Sequence, residues 1–238
     1  MDMKTLRADA ILFDKDGTLF DFNATWVAWV ETMLAHWSGG DAGLAEALAG
    51  VLGFDRRAHR FCADSLVIAG TPEEVAGSVA PVLGLTAQEL IGRLNAEAAR
   101  APMAEAVPLV PLLDRLRAMG LRLGVATNDA EAPARAHLSA AGVGTMFDFI
   151  AGSDSGYGGK PAPGQLFAFA RAVGVAPERV AMVGDSLHDL RAGRAAGMRC
   201  VGVLTGLAGA ETLAPLADAV LRDIGELPDW LSGRCEGL

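Results

Sequence analysis

From residue 102 onward, short apolar runs alternate with helix-length amphipathic stretches, and this alternation restricts the fold more than any other feature. The runs fall at 121–126, 147–151 and 180–183, with two more near 200–204 and 218–221. Helical stretches near 109–119, up to Ala141, near 165–173 and from about 187 separate them. Runs this short suit buried strands, and strand–helix alternation implies a parallel, doubly wound α/β sheet with right-handed crossovers. One more run of the same kind, 8–13, stands far upstream. Between 21 and 101 the apolar spacing is helical, as in Trp26, Val30, Met33, Leu34 and Trp37. Thr71-Pro72-Glu73-Glu74 and Thr86-Ala87-Gln88-Glu89 carry the capping pattern of helix starts. No strand is read there. The expected architecture is a discontinuous α/β core, 1–20 and 102–238, with an all-helical insert at 21–101.

Composition narrows the function classes. A formal net charge of −9 argues against nucleic-acid binding, which needs basic surface to displace counterions. No apolar run is long enough to span a bilayer, and Met1-Asp2-Met3-Lys4 lacks the form of a signal peptide. Cys62, Cys200 and Cys235 are scattered and form no CxxC, which fits a reducing compartment and a cytoplasmic location. No feature of the sequence specifies an oligomer. Three lysines, Lys4, Lys15 and Lys160, stand against 17 arginines. A lysine retained inside a motif is therefore informative, because a compact ammonium does a different job from a planar fork.

Four motifs fall where strands are expected to end: Asp14-x-Asp16-Gly17-Thr18, Thr127-Asn128, Lys160-Pro161-x-Pro163 and Gly184-Asp185-x-x-x-Asp189. A parallel sheet delivers all its strand tips to one edge, so these distant residues converge. Gly17 permits a sharp turn and a close approach to ligand. Clustered carboxylates repel unless a cation sits among them, and Mg²⁺ is the natural hard, oxygen-seeking choice. One carboxylate attacking while its neighbour shuttles a proton suits phosphoryl chemistry.

In motif order, spacing and insert position, the chain resembles the haloacid dehalogenase superfamily, and within it the phosphatases with a helical cap after the first strand. The resemblance implies a Rossmann-like core and hydrolysis of a small phosphorylated metabolite, phosphoglycolate-like or a sugar phosphate. It implies that Asp14 is the nucleophile, forming an aspartyl-phosphate. Asp16 would protonate the leaving oxygen and then activate water, with Thr18 orienting it. Gly17, Thr127 and Asn128 would bind phosphate, and Lys160 would balance the charge on Asp14 and the phosphoryl oxygens. Asp185 would hold Mg²⁺ together with Asp14 and the Asp16 main-chain carbonyl, and Asp189 would support the metal shell or the lysine. A phosphomutase on the same fold and a non-catalytic metabolite-binding protein are the alternatives.

Other features read as structural. By strand alternation Lys15 points away from the two carboxylates. Trp26, Trp29 and Trp37 read as packing groups, and His36, His59 and His137 as dispersed surface or packing residues. Gly184-Asp185-Ser186-Leu187 matches a serine-esterase signature, but His188 is the last histidine and no downstream base follows. The basic group Arg56, Arg57, His59 and Arg60 reads first as a solvated helix face. Arg57, Arg60 and Asn23 are the candidate substrate contacts from the insert.

Overall fold

In a computed structural model, which describes residues 6–62 and 64–237, the first strand divides its side chains by parity. In β1 (Ala10–Phe13) all four residues are buried. Ile11 and Phe13 join one apolar cluster, and Ala10 and Leu12 join another. Two-residue periodicity sends them to opposite faces of a sheet covered on both sides. Met1–Lys4 and the outermost bounds of the expected core lie outside the described residues.

The chain then enters a helical region of α1 (Phe22–Ser38), α2 (Ala42–Leu52), α3 (Pro72–Leu83) and α4 (Ala87–Ala98). Asp21 caps α1 by accepting from the Ala24 N–H. Thr71 and Thr86 form the full capping boxes with Glu74 and Glu89 that their sequences predict. These helices bury one shared apolar cluster, with Trp29, Val30, Met33, Leu48, Val79 and Leu90 at its centre. The region is not wholly helical. β2 (Phe54–Asp55) and β3 (Arg60–Phe61) form an antiparallel ribbon between α2 and α3. Two residues per strand show no periodicity, so the sequence hides it. Asp55 accepts from the Arg57 and Ala58 N–H groups and shapes the turn, while Phe54 and Phe61 pack with ring centroids 5.1 Å apart.

The remaining elements are α5 (Leu109–Ala118), β4 (Arg122–Ala126), α6 (Glu131–Ala140), β5 (Phe149–Ala151), α7 (Gly164–Val173), β6 (Val180–Gly184), α8 (Leu187–Ala195), β7 (Arg199–Val203), α9 (Ala210–Leu213), β8 (Ala219–Leu221) and α10 (Leu227–Leu231). Six strands form one parallel sheet in the order β5-β4-β1-β6-β7-β8. β1 is central, with β4 on one side and β6 on the other. Chain order reverses direction across it, and ligands collect beyond the carboxyl ends at such a point. The doubly wound α/β expectation holds. No single helix among the described residues is long and apolar enough to cross a membrane.

Candidate active site

The loops after β1, β4, β5 and β6 bring Asp14, Thr127, Lys160, Asp185 and Asp189 to one cleft. Asp14 follows β1 directly, and its N–H donates to the Val183 carbonyl at 2.8 Å, which ties it to β6. Lys160 Nζ donates to Asp14 Oδ1 at 2.5 Å, to Asp189 Oδ1 at 2.7 Å and to the Ala126 carbonyl at 2.7 Å. The lysine is buried, so its charge depends on these partners. Burial works against the ammonium, but Asp14 and Asp189 prevail and hold it above the usual lysine range.

The carboxylates respond in the opposite sense. Burial pushes the Asp14 carboxyl up to about 7; Lys160 opposes this, while Asp189 and Asp16 add to it. Asp185 is raised well above the ordinary carboxyl value by burial and by Asp14 and Asp189. Asp14, Asp185 and Asp189 offer oxygens within 4.8 Å of one another, all buried. Three acids against one ammonium leave a negative surplus in a dry place, and an all-oxygen donor set of this kind fits a hard divalent cation.

Small residues make room for these acids. Gly17 has φ +79°, which favours glycine, and it packs on the Asp185 carboxylate. A Cβ on Gly206 would overlap the same carboxylate, and one on Gly184 would overlap Asp189. Gly206 escaped the sequence reading because it follows β7 without a recognisable motif. Its neighbour Thr205 donates to the Gly17 carbonyl at 2.6 Å and closes the loop pair.

Several predicted residues meet partners other than those expected. The Thr18 hydroxyl makes a long 3.5 Å contact to Asp185 Oδ1, whereas the expectation placed it on Asp16. The Asn128 side chain accepts from the Lys160 N–H at 2.7 Å and donates to the carbonyls of Lys160 and Ala69. It thus ties the lysine loop to the helical region. Thr127 is buried in the cleft wall, its Oγ1 accepting from the Asp129 N–H, and Gln165 donates to its carbonyl. Asp189 serves two readings together. Its Oδ2 accepts from the Ser186 N–H and hydroxyl at the start of α8, and its Oδ1 accepts from Lys160. Asn23, Arg57 and Arg60 are exposed, and none lines the cleft.

Lys15 departs furthest from expectation. Its Nζ meets Asp16, one of the two carboxylates it was expected to avoid, 3.0 Å from each oxygen. It also lies 3.1 Å from Asp129 Oδ2 and 3.0 Å from His137 Nδ1, with the Trp26 ring 5.6 Å away. Strand parity sets where a side chain leaves the backbone, not where a four-carbon stem ends. His137 Nε2 is 2.8 Å from the Ala98 carbonyl. A carbonyl only accepts, so Nε2 carries the hydrogen and Nδ1 accepts from the ammonium. Burial, with Lys15 beside it, pulls His137 down to about 4, which agrees with a neutral ring. Lys15 itself is held above the usual range: burial opposes its charge, but Asp16 and Asp129 outweigh it. Asp129 and His137 were missed as site residues because their partners are remote in sequence.

A parallel doubly wound sheet with an acid cluster and a lysine at its carboxyl edge defines a class of phosphoryl-transfer folds. The haloacid dehalogenase-like hydrolase family model matches residues 8–197, and the chain belongs to that family. It is 30% identical over 218 residues to pyrophosphatase PpaX of Bacillus velezensis, covering 89% of this chain and 90% of that one. It is 38% identical over 120 residues to a phosphoglycolate phosphatase of Rhodospirillum rubrum, a match spanning half of each chain. Among solved structures it is similar to CbbY from Rhodobacter sphaeroides in complex with phosphate. That match has a TM-score of 0.66 and 26% identity, and covers 92% of this chain and 96% of that one.

Proposed function

We propose that this protein is a Mg²⁺-dependent phosphatase that hydrolyses a small-molecule phosphomonoester through a phosphoryl group carried on Asp14. The supporting observation is the buried pairing of Asp14 with Lys160 beside Asp185, at the floor of one cleft. Asp14, Asp185 and the Asp16 main-chain carbonyl would hold the cation, which when bound neutralises phosphoryl charge. Asp189 supports the lysine, since both its oxygens already accept hydrogen bonds.

In the first half-reaction Asp14 attacks phosphorus, and the bond from phosphorus to the leaving alcohol oxygen breaks. Asp16 supplies the proton that the departing oxygen needs. In the second half, Asp16 takes a proton from water, whose oxygen attacks the same phosphorus and frees Asp14 and inorganic phosphate. Splitting one displacement into two lowers each barrier, and Lys160 steadies the spread of negative charge. The helices of residues 21–101 act as a cap that keeps bulk water from the intermediate. The unpaired cysteines support a reducing compartment, which we take to be the cytoplasm.

The names of relatives supply candidate substrates, phosphoglycolate and pyrophosphate. Incubation with Mg²⁺ and a panel of phosphate compounds, phosphoglycolate, the anhydride pyrophosphate and a hexose phosphate among them, should release free phosphate and no isomerised sugar. The Asp14→Asn variant should fall by about 10³-fold or more in kcat, because an amide cannot attack phosphorus. Full activity in that variant refutes the assignment, and an isomerised sugar phosphate assigns a mutase instead.

A further inference from the structure

We infer that the alcohol half of the ester taken by this site is apolar and uncharged, an inference that rests on the phosphatase reading. The cleft that exposes Asp14 and Lys160 continues toward the helical region as one chamber. Phe22, Trp26, Trp29, Val67, Val75 and Leu94, all from residues 21–101, line it. Trp26 and Trp29 pack edge to face, with ring centroids 5.3 Å apart, and present rigid aromatic surface. These tryptophans serve the chamber as well as the apolar cluster.

Cations are missing where a second anion would lie. Among the described residues, Lys160 is the one lysine or arginine that lines the chamber. Its ammonium is already taken up by Asp14, Asp189 and the Ala126 carbonyl. A carboxylate on the leaving group would therefore be buried against aromatic and aliphatic carbon without a partner, which is strongly unfavourable. A polyhydroxylated leaving group fares little better, because each buried hydroxyl needs a hydrogen-bond partner. Few are on offer. Ser186 is committed to Asp189. Asn95 and His188 are the other polar groups of the lining beyond the catalytic cluster and the strand-end loops. The Trp29 indole N–H is buried without a partner. An apolar body with at most a neutral acceptor is what this lining complements.

Steady-state kinetics with Mg²⁺ on benzyl phosphate, glycerol 3-phosphate and phosphoglycolate test this. All three leave from an aliphatic carbon, so leaving-group activation does not decide the ranking. Binding of 2-phenylethylphosphonate and 3-phosphonopropanoate, the non-hydrolysable counterparts of the first and last, is measured alongside by calorimetry. We expect kcat/KM for benzyl phosphate to exceed that of both others at least tenfold, and the phenylethyl compound to bind at least tenfold tighter. Equal or faster turnover of phosphoglycolate or glycerol 3-phosphate overturns the inference and leaves the phosphatase reading intact. If no ester turns over, the phosphatase reading fails and binding decides. Tenfold tighter binding of the phenylethyl compound then sustains the apolar chamber, and equal or weaker binding overturns it.

Discussion

Each of the two carboxylates after β1 has its own buried lysine, and the two clusters are built differently. Lys160 reaches Asp14 from a loop across the sheet edge, lines the cleft, and shares its charge with Asp189. Lys15 reaches Asp16 from the adjacent backbone position, is wholly buried, and lines no part of the cleft. Behind Lys15 stand Asp129 and His137, and through the Ala98 carbonyl the cluster is anchored to the end of α4. Asp14 is thus held by a group that also lines the cleft. Asp16 is held by Lys15, which lines no part of the cleft, although Asp129 behind it does. Attack on phosphorus needs charge neutralised at the reacting atoms, whereas proton transfer needs the carboxylate held in place.

This contrast can be broken by removing each lysine in turn. Lys160→Met should lower kcat by about 10²–10³-fold for every ester, since the stabilisation lost is at phosphorus itself. Lys15→Met should lower kcat by about 10- to 100-fold for alkyl phosphates while leaving KM within a few-fold. It should spare the nitrophenolate burst from 4-nitrophenyl phosphate, whose leaving group departs without a proton, while the attack of water that follows slows for every ester. An equal loss in that burst would show that Lys15 does no more than support the fold.

Stability against pH sharpens the same comparison, because Asp14 and His137 carry opposite signs. Asp14 is raised in the folded chain, so the folded state binds its proton more tightly than the unfolded one. Its contribution is present at low pH and is lost as pH rises from about 4 to about 7. His137 is lowered to about 4, so its contribution is present above about 6.5 and is lost as pH falls. Urea unfolding with chelator present should show the wild type losing about 2–4 kcal/mol relative to Asp14→Asn between pH 4 and 7. Relative to His137→Gln it should gain, by a smaller margin, between pH 4 and 6.5. Parallel curves in either pair would contradict the burial argument.

The smallest effect is expected from His137→Gln at pH 7.5. Loss of the ring that accepts from Lys15 and donates to Ala98 should cost about 1–2 kcal/mol of stability. Turnover of alkyl phosphates should fall only a few-fold, because Lys15 keeps both acids. A loss as large as that of Lys15→Met would place the imidazole, not the ammonium, at the centre of the second cluster.

Much of this was readable in the chain itself, because local physics wrote it there. A short apolar run predicts β1, and capping boxes at Thr71 and Thr86 predict two helix starts. Strand tips in a parallel sheet share an edge, so Asp14, Thr127, Lys160 and Asp185 were expected together without coordinates. Tertiary structure alone decided what depends on the far ends of side chains and on distant neighbours. It turned Lys15 onto Asp16, placed His137 beneath it, and put Gly206 where Asp185 needs room. It also left Arg57 and Arg60 in solvent and lined the cleft with Phe22, Trp26 and Trp29. The physical reason is range: backbone periodicity acts over a few residues, whereas a buried charge is settled by whichever partner the whole fold brings within about 3 Å.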